Sequence, residues 1–211
     1  MAGTPIGLRE RKKRETKQAL ARAGLELFVE RGYDETTLAD IADAAGVSTR
    51  TIFAYFPGKE DILFSTFEDM REALGRALAD RPEGQDAFAA LRDFIVSSAH
   101  EKTELDCELD QVIARNQTLS SHKRARIAQL QELLAGAIAE DLGAGPDDLR
   151  ANVAAASLTA AFEVLSQQER VPASASVTSE EIAAAIDPII AFVRAGLQAL
   201  PAPGTSTGPK A

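Results

Sequence analysis

The chain has 211 residues, 45% of them hydrophobic and 5% aromatic, which is enough to bury a core in one or two domains and excludes a disordered chain. Its single cysteine, Cys107, excludes an internal disulfide, and no signal peptide or long uncharged apolar run is visible, so a cytoplasmic protein without a membrane partner is expected. The net charge of −9 is unevenly spread: residues 1–60 hold ten Lys/Arg and nine Asp/Glu, residues 61–211 thirteen and twenty-three, so the excess acid lies away from the N-terminal part.

Residues 1–8, with Gly3, Pro5 and Gly7 and no periodicity, read as a disordered arm. A first helix is predicted from about Arg11 to Arg31. Leu20, Ala23, Leu27 and Phe28 form its inner face, Gly32 ends it, and Arg9, Arg11, Lys12, Lys13, Arg14 and Lys17 make a basic cluster at its start. Thr36 or Thr37 can cap a short second helix whose apolar stripe is Leu38, Ile41, Ala42 and Ala45. Gly46 can take the left-handed conformation that stops it, with Val47 dropping back onto the finished turn. Ser48 or Thr49 caps a third helix, which keeps Ile52 and Phe56 for the core, turns Thr49, Arg50, Thr51 and Tyr55 outward, and ends at Pro57-Gly58.

A fourth helix is predicted as one run from Lys59 to about Asp80, with Leu63, Phe67, Met70, Leu74 and Leu78 on one face. Phe88, Leu91 and Ile95 mark a fifth, Leu105, Leu109, Val112 and Ile113 a sixth, and Ile127, Leu130, Leu134 and Ile138 a seventh. Gly143-Ala144-Gly145-Pro146 interrupts the pattern, and Asp147 or Asp148 caps an eighth helix reaching about Gln168. A Pro/Ser/Ala linker leads to a ninth from Ser179, which Pro188 either kinks or splits, and residues 201–211 read as a disordered tail. With no strand run and no internal repeat, the expected fold class is all-α: an N-terminal three-helix helix-turn-helix domain at 9–58, joined to a larger helical domain at 59–200.

The outward residues of the third helix suit duplex DNA. Arginine pairs two donors with guanine O6 and N7, threonine offers a hydroxyl and a methyl, and tyrosine can reach a phosphate or a base. The basic cluster can neutralise phosphates. By pattern alone, two short helices at a turn also occur in proteins that never touch nucleic acid. From roughly Arg11 to Phe64, however, the ordered run KKRETKQALARAGLELFVERGY, TTLADIADAAGVSTRTIFAYF and PGKEDILF resembles the N-terminal DNA-binding domain of TetR-family transcriptional regulators. The spacing of Gly32-Tyr33, Ile41-Ala42, Gly46-Val47-Ser48, Tyr55-Phe56 and Lys59-Glu60 agrees with that family.

The resemblance implies a regulator that binds a palindromic double-stranded operator through Thr37, Ser48, Thr49, Arg50, Thr51 and Tyr55, with the Lys59 ammonium on a phosphate. Two residues depart from the family: Phe53, where many relatives carry a tyrosine able to bond a phosphate, and Ala54, where a polar side chain is frequent. The eighth helix is apolar over a wide arc, which fits either a subunit contact or a fully buried central helix. The resemblance favours a homodimer through the last two helices. It also implies a pocket for an unidentified small-molecule effector, for which Phe67, Met70, Phe88, Leu91, Phe94, Ile95 and Phe162 are the apolar candidates and His100, Arg115 and Asn116 the polar ones. Effector binding would tilt the fourth helix and release DNA, the usual outcome in the family being repression.

Aromatic and methionine side chains at helical spacing also fit plain core packing, and Cys107 reads as a small buried hydrophobe, His100 and His122 as surface residues. No hydrolase elbow, phosphate loop, zinc motif or Cys/His metal spacing is present, so neither an enzyme, a cofactor nor a metal is expected. The alternative to a DNA-binding regulator is a helical protein-interaction module without sequence-specific DNA binding.

Overall fold

The computed structural model describes residues 7–98, 103–168 and 178–200, and among these every regular element is a helix. The chain forms two compact units, and the division is not a single cut at 58/59. One unit combines the N-terminal segment to Asp69 with Thr103–Lys123; the other combines Met70–Lys102 with the chain from Arg124.

In the first unit, α1 (Leu8–Arg31) ends at Gly32, whose φ of +90° lies in the region open to glycine and whose N–H donates to the Phe28 carbonyl. Leu20, Leu27 and Phe28 turn one face of α1 inward onto Ile41 and Ala42 of α2 (Leu38–Ala44), Ile52 of α3 (Thr49–Phe53), Phe56, and Ile62 and Leu63 of α4 (Lys59–Leu63). Gly24 lets α1 approach its neighbours closely: a Cβ there would stand 2.6 Å from Ile62 Cγ2 and 3.3 Å from Ile41 Cδ1.

The continuous helix expected from Lys59 to Asp80 is two helices. α4 stops at Phe64, whose φ/ψ of −101°/14° leaves the helical region, and α5 (Ser65–Ala79) starts anew with the Ser65 hydroxyl donating to the Ile62 carbonyl at 2.9 Å. Phe64 is fully buried in the first core, so its anchoring sets the break without glycine or proline. α7 (Glu104–Arg115), read from sequence as part of the larger domain, packs against α1 and gives Leu109 and Ile113 to this same core.

The second unit is built on the later part of α5, α6 (Ala87–Ser98), most of α8 (Gln117–Asp141), α9 (Leu149–Gln168) and α10 (Ser179–Ala199). Leu74, Leu78, Phe88, Leu91, Leu134, Ile138, Leu158, Ile186, Ile190 and Val193 are among its buried side chains. α5 and α8 therefore feed both cores: Phe67 and Leu119 belong with the first, Leu74 and Leu134 with the second. Gly143, at φ +60°, closes α8 with paired bonds from its own N–H to the Glu140 carbonyl and from Ala144 N–H to the Ala139 carbonyl.

Pro188 lies inside α10, which runs through it as one helix. By length and composition α10 is also apolar enough to cross a membrane, although the run is not uncharged, carrying Glu180, Glu181, Asp187 and Arg194. Its charged residues are used within the unit, however. Arg194 bonds Asp86 in two places and lies over the Phe88 ring, and Arg92 of α6 bonds both carboxylate oxygens of Asp187. Asp86 also accepts the Ala89 N–H at 2.8 Å, and Asp141 accepts Ala87 N–H at 2.6 Å, so two carboxylates hold the N-terminus of α6. Residues 1–6, the linker from 169 to 177 and the tail from 201 lie outside the described residues.

Candidate nucleic-acid interface

The helix-turn-helix is locked by local bonds on both sides of the turn. Thr37, not Thr36, caps α2: its hydroxyl accepts the Asp40 N–H at 3.2 Å while Asp40 Oδ2 accepts the Thr37 N–H at 2.8 Å, a reciprocal capping box. The Thr37 hydroxyl, which also donates to Asp40 Oδ2, and then the Thr37 N–H draw the Asp40 carboxyl below its usual range, with nearby Arg31 adding to the effect. At the far end Gly46, φ +66°, donates to the Asp43 carbonyl and Val47 to the Ala42 carbonyl, the paired pattern that lets a helix turn sharply. Ser48 then caps α3 by accepting the Thr51 N–H, and its hydroxyl also pairs with that of Thr51 at 2.9 Å.

α3 is only five residues long and stops before Tyr55, which alters the outward face read from sequence. Ile52 is fully buried and fixes the rotation of the helix. Arg50, Phe53 and Ala54 consequently share the exposed face, at three- and four-residue spacing, with Phe53 56% exposed. Ser48 is exposed beside them, and Thr49 and Thr51 are half-buried. Tyr55, expected to face outward, is half-buried and packs against the core, because the chain has left the helix and Phe56 beyond it is drawn inside.

Lys59 is the second correction. Its ammonium donates to the carbonyls of Tyr33 at 2.7 Å, Thr36 at 3.2 Å and Asp34 at 3.3 Å, and stands 4.4 Å from the Tyr33 ring centroid. Three donors meet three acceptors, so the group expected on a phosphate instead fastens the loop between α1 and α2. Thr36 completes the fastening from inside: it is fully buried, and its hydroxyl bonds the carbonyls of Gly32 and Leu27. Of the basic cluster, Arg9, Arg11, Lys12, Lys13 and Arg14 are exposed, whereas Lys17 bonds Asp69 at 2.9 Å. Arg11 also makes an exposed ion pair with Glu15 at 3.5 Å.

The proposed effector residues are divided between the two units. Phe67, Arg115 and Asn116 fall in the first unit, Met70, Phe88, Leu91, Phe94, Ile95 and Phe162 in the second. Phe88, Leu91, Phe94 and Ile95 join the second core, while Phe162 is 48% exposed on α9. Asn116 is spent on capping: its Oδ1 accepts the Leu119 N–H at the start of α8 and its amide reaches Asp34. Arg115 is exposed and bonds Gln111 one turn back. His100 lies outside the described residues. Cys107 is exposed rather than buried, and His122 is half-buried with Nδ1 2.9 Å from Glu60. Among the described residues no cluster of His, Cys, Asp or Glu is placed to hold a metal.

These features define a helix-turn-helix domain of the kind that reads duplex DNA, followed by a helical body. Residues 20–66 match the family described as bacterial regulatory proteins, tetR family. The transcriptional regulator TcmR of Streptomyces glaucescens is 41% identical over 85 residues, which is 40% of this chain and 38% of that one, so the likeness spans under two fifths of the relative's length. Similar structures include NalD, the secondary repressor of the MexAB-OprM multidrug efflux pump in Pseudomonas aeruginosa, at 20% identity and TM-score 0.57, covering 84% of this chain and 96% of that one. SmeT in complex with triclosan is 20% identical with TM-score 0.57, covering 93% and 99%. At that identity the structures speak for the fold alone. By sequence, then, residues 20–66 are similar to the tetR family of bacterial regulatory proteins, and by fold the chain is similar to NalD and SmeT.

Proposed function

We propose that this protein is a DNA-binding transcriptional regulator that reads a palindromic operator as a homodimer and releases it on binding a small molecule. The observation that carries the reading is α3 itself: a short helix capped by Ser48, anchored by Ile52, and presenting Arg50 on an exposed face inside the segment that matches the family. Arg50 supplies the bidentate donor for guanine, and the exposed cations at the start of α1 supply phosphate neutralisation.

Dimerisation through α9 and α10 is supported by the apolar surface those helices leave uncovered. Leu149, Val153, Phe162 and Val164 on α9 and Phe192 on α10 are exposed, with Phe192 at 78%. Val153, Ala154, Phe192, Gly196 and Leu197 line a shallow groove between the two helices, where small residues permit close approach by a second copy. A palindromic operator calls for two α3 helices about one DNA turn, roughly 34–36 Å, apart, and hence for two copies. The effector is proposed by analogy with SmeT, a relative in fold that binds triclosan; this chain's own effector would have to lodge among second-unit apolar residues such as Phe88, Leu91 and Phe94.

Titration of duplexes across a salt series, combined with sedimentation of the free and bound protein, tests the reading. A regulator of this kind weakens linearly in log–log form with salt and binds a two-fold symmetric site as two chains. A monomer indifferent to duplexes at low ionic strength would overturn it.

A further inference from the structure

We propose that the Phe53 ring, with the Ala54 methyl beside it, reads thymine 5-methyl groups, a specificity contact that rests on the DNA-reading function proposed above. Ile52 and Phe56 supply the apolar anchors of this segment, so Phe53 is not needed for the core and stands 56% exposed. Its place is fixed: residues 50, 53 and 54 fall on one face of α3, opposite Ile52. A phenyl ring can neither donate to a phosphate nor pair with the polar edge of a base. The apolar group that base edges offer in the major groove is the thymine methyl, and aromatic or alanine side chains are suited to it.

Arg50 precedes Phe53 by three residues, about 4.5 Å along the helix, against roughly 3.4 Å between successive base pairs. An arginine that takes guanine O6 and N7 therefore puts the ring over the next base pair or the one beyond. The half-site should contain a guanine within one or two base pairs of a thymine. Burial of a methyl-sized group corresponds to about a fourfold change in affinity.

The experiment selects tight-binding duplexes from a randomised pool with the full chain, then replaces each thymine singly by deoxyuridine, which lacks only the methyl. The expected result is a loss of about fourfold at one or two thymines per half-site for the unaltered protein. Phe53→Ala should shrink the difference between thymine and deoxyuridine duplexes to the part that alanine methyls supply, with an unchanged salt dependence, and Phe53→Leu should keep more of it. Equal binding of both duplexes by the unaltered protein, or the same deoxyuridine penalty in Phe53→Ala, would overturn the assignment while leaving DNA reading intact. If no duplex is enriched, the DNA-reading function fails and this contact with it.

Discussion

Replacing Lys59 by methionine keeps the aliphatic stem and removes the ammonium, separating its two conceivable duties. In the structure the ammonium meets three carbonyls, the shortest bond being 2.7 Å to Tyr33, and the Tyr33 ring. Bonds to a charged donor contribute about 1.5–3 kcal/mol at good geometry. The two near 3.3 Å contribute less, and a ring contact at a half-exposed site adds roughly 0.5–1 kcal/mol. The expected loss is about 2–3 kcal/mol, because the buried Thr36 cannot turn its carbonyl to water. For a chain of this size the melting temperature should fall by roughly 5–10 °C. Thermal unfolding of the full chain measures that, and a salt series with duplex DNA measures the rest. A phosphate contact would take about 0.9 per protomer off the salt slope, whereas an internal clamp leaves the slope unchanged. An unaltered melting temperature with a reduced slope would refute the clamp.

Gly24→Ala should destabilise by about 1–2 kcal/mol, since overpacking against the buried Ile62 outweighs the gain in helix propensity, while Gly75→Ala, with open space around it, should stabilise by roughly 0.5–1 kcal/mol; a urea unfolding midpoint that rises for Gly24→Ala or falls for Gly75→Ala would contradict that assignment. Phe192→Glu should leave the fold of the single chain unaltered, because the ring is exposed there, yet weaken self-association by at least about 2 kcal/mol, read by sedimentation over a concentration series. Burial pushes the Asp86 carboxyl up, but the Arg194 bonds and the N–H groups of Ala89 and Phe88 more than offset it, leaving it below its usual range. The depressed value means its stabilisation is present above the ordinary carboxylate pKa of about 3.9 and is lost as pH falls through the lower folded value. Acid unfolding of Asp86→Asn should therefore show a shallower decline below about pH 4 than the parent; parallel curves would remove Asp86 from that role.

The helix-turn-helix was legible because its signals are local. Thr37, Gly46 and Ser48 act within four residues of themselves, and the Ile41 and Ile52 positions follow from periodicity. What escaped depends on partners distant in sequence. Lys59 looks like a free cation until Tyr33, Asp34 and Thr36 are placed around it. Tyr55 is half-buried rather than outward because the helix read as reaching Phe56 ends at Phe53. The stop at Phe64 has no breaker residue, only the buried ring and the Ser65 hydroxyl, and Ser65 was the one visible cue. The effector candidates divide between the units for a related reason: helical spacing says which residues turn inward, not which of two cores they enter.

The nesting of the two units constrains how this protein can be cut or grafted. A fragment ended after Asp69 would retain the whole helix-turn-helix, yet lose Leu109, Ile113 and Leu119, which close the same core from a later stretch of chain. Such a stump should be sticky and poorly folded. A transplantable reading head must take the α7 segment with it, so any chimera that swaps target preference between relatives inherits three splice junctions, at 69/70, 102/103 and 123/124, rather than one.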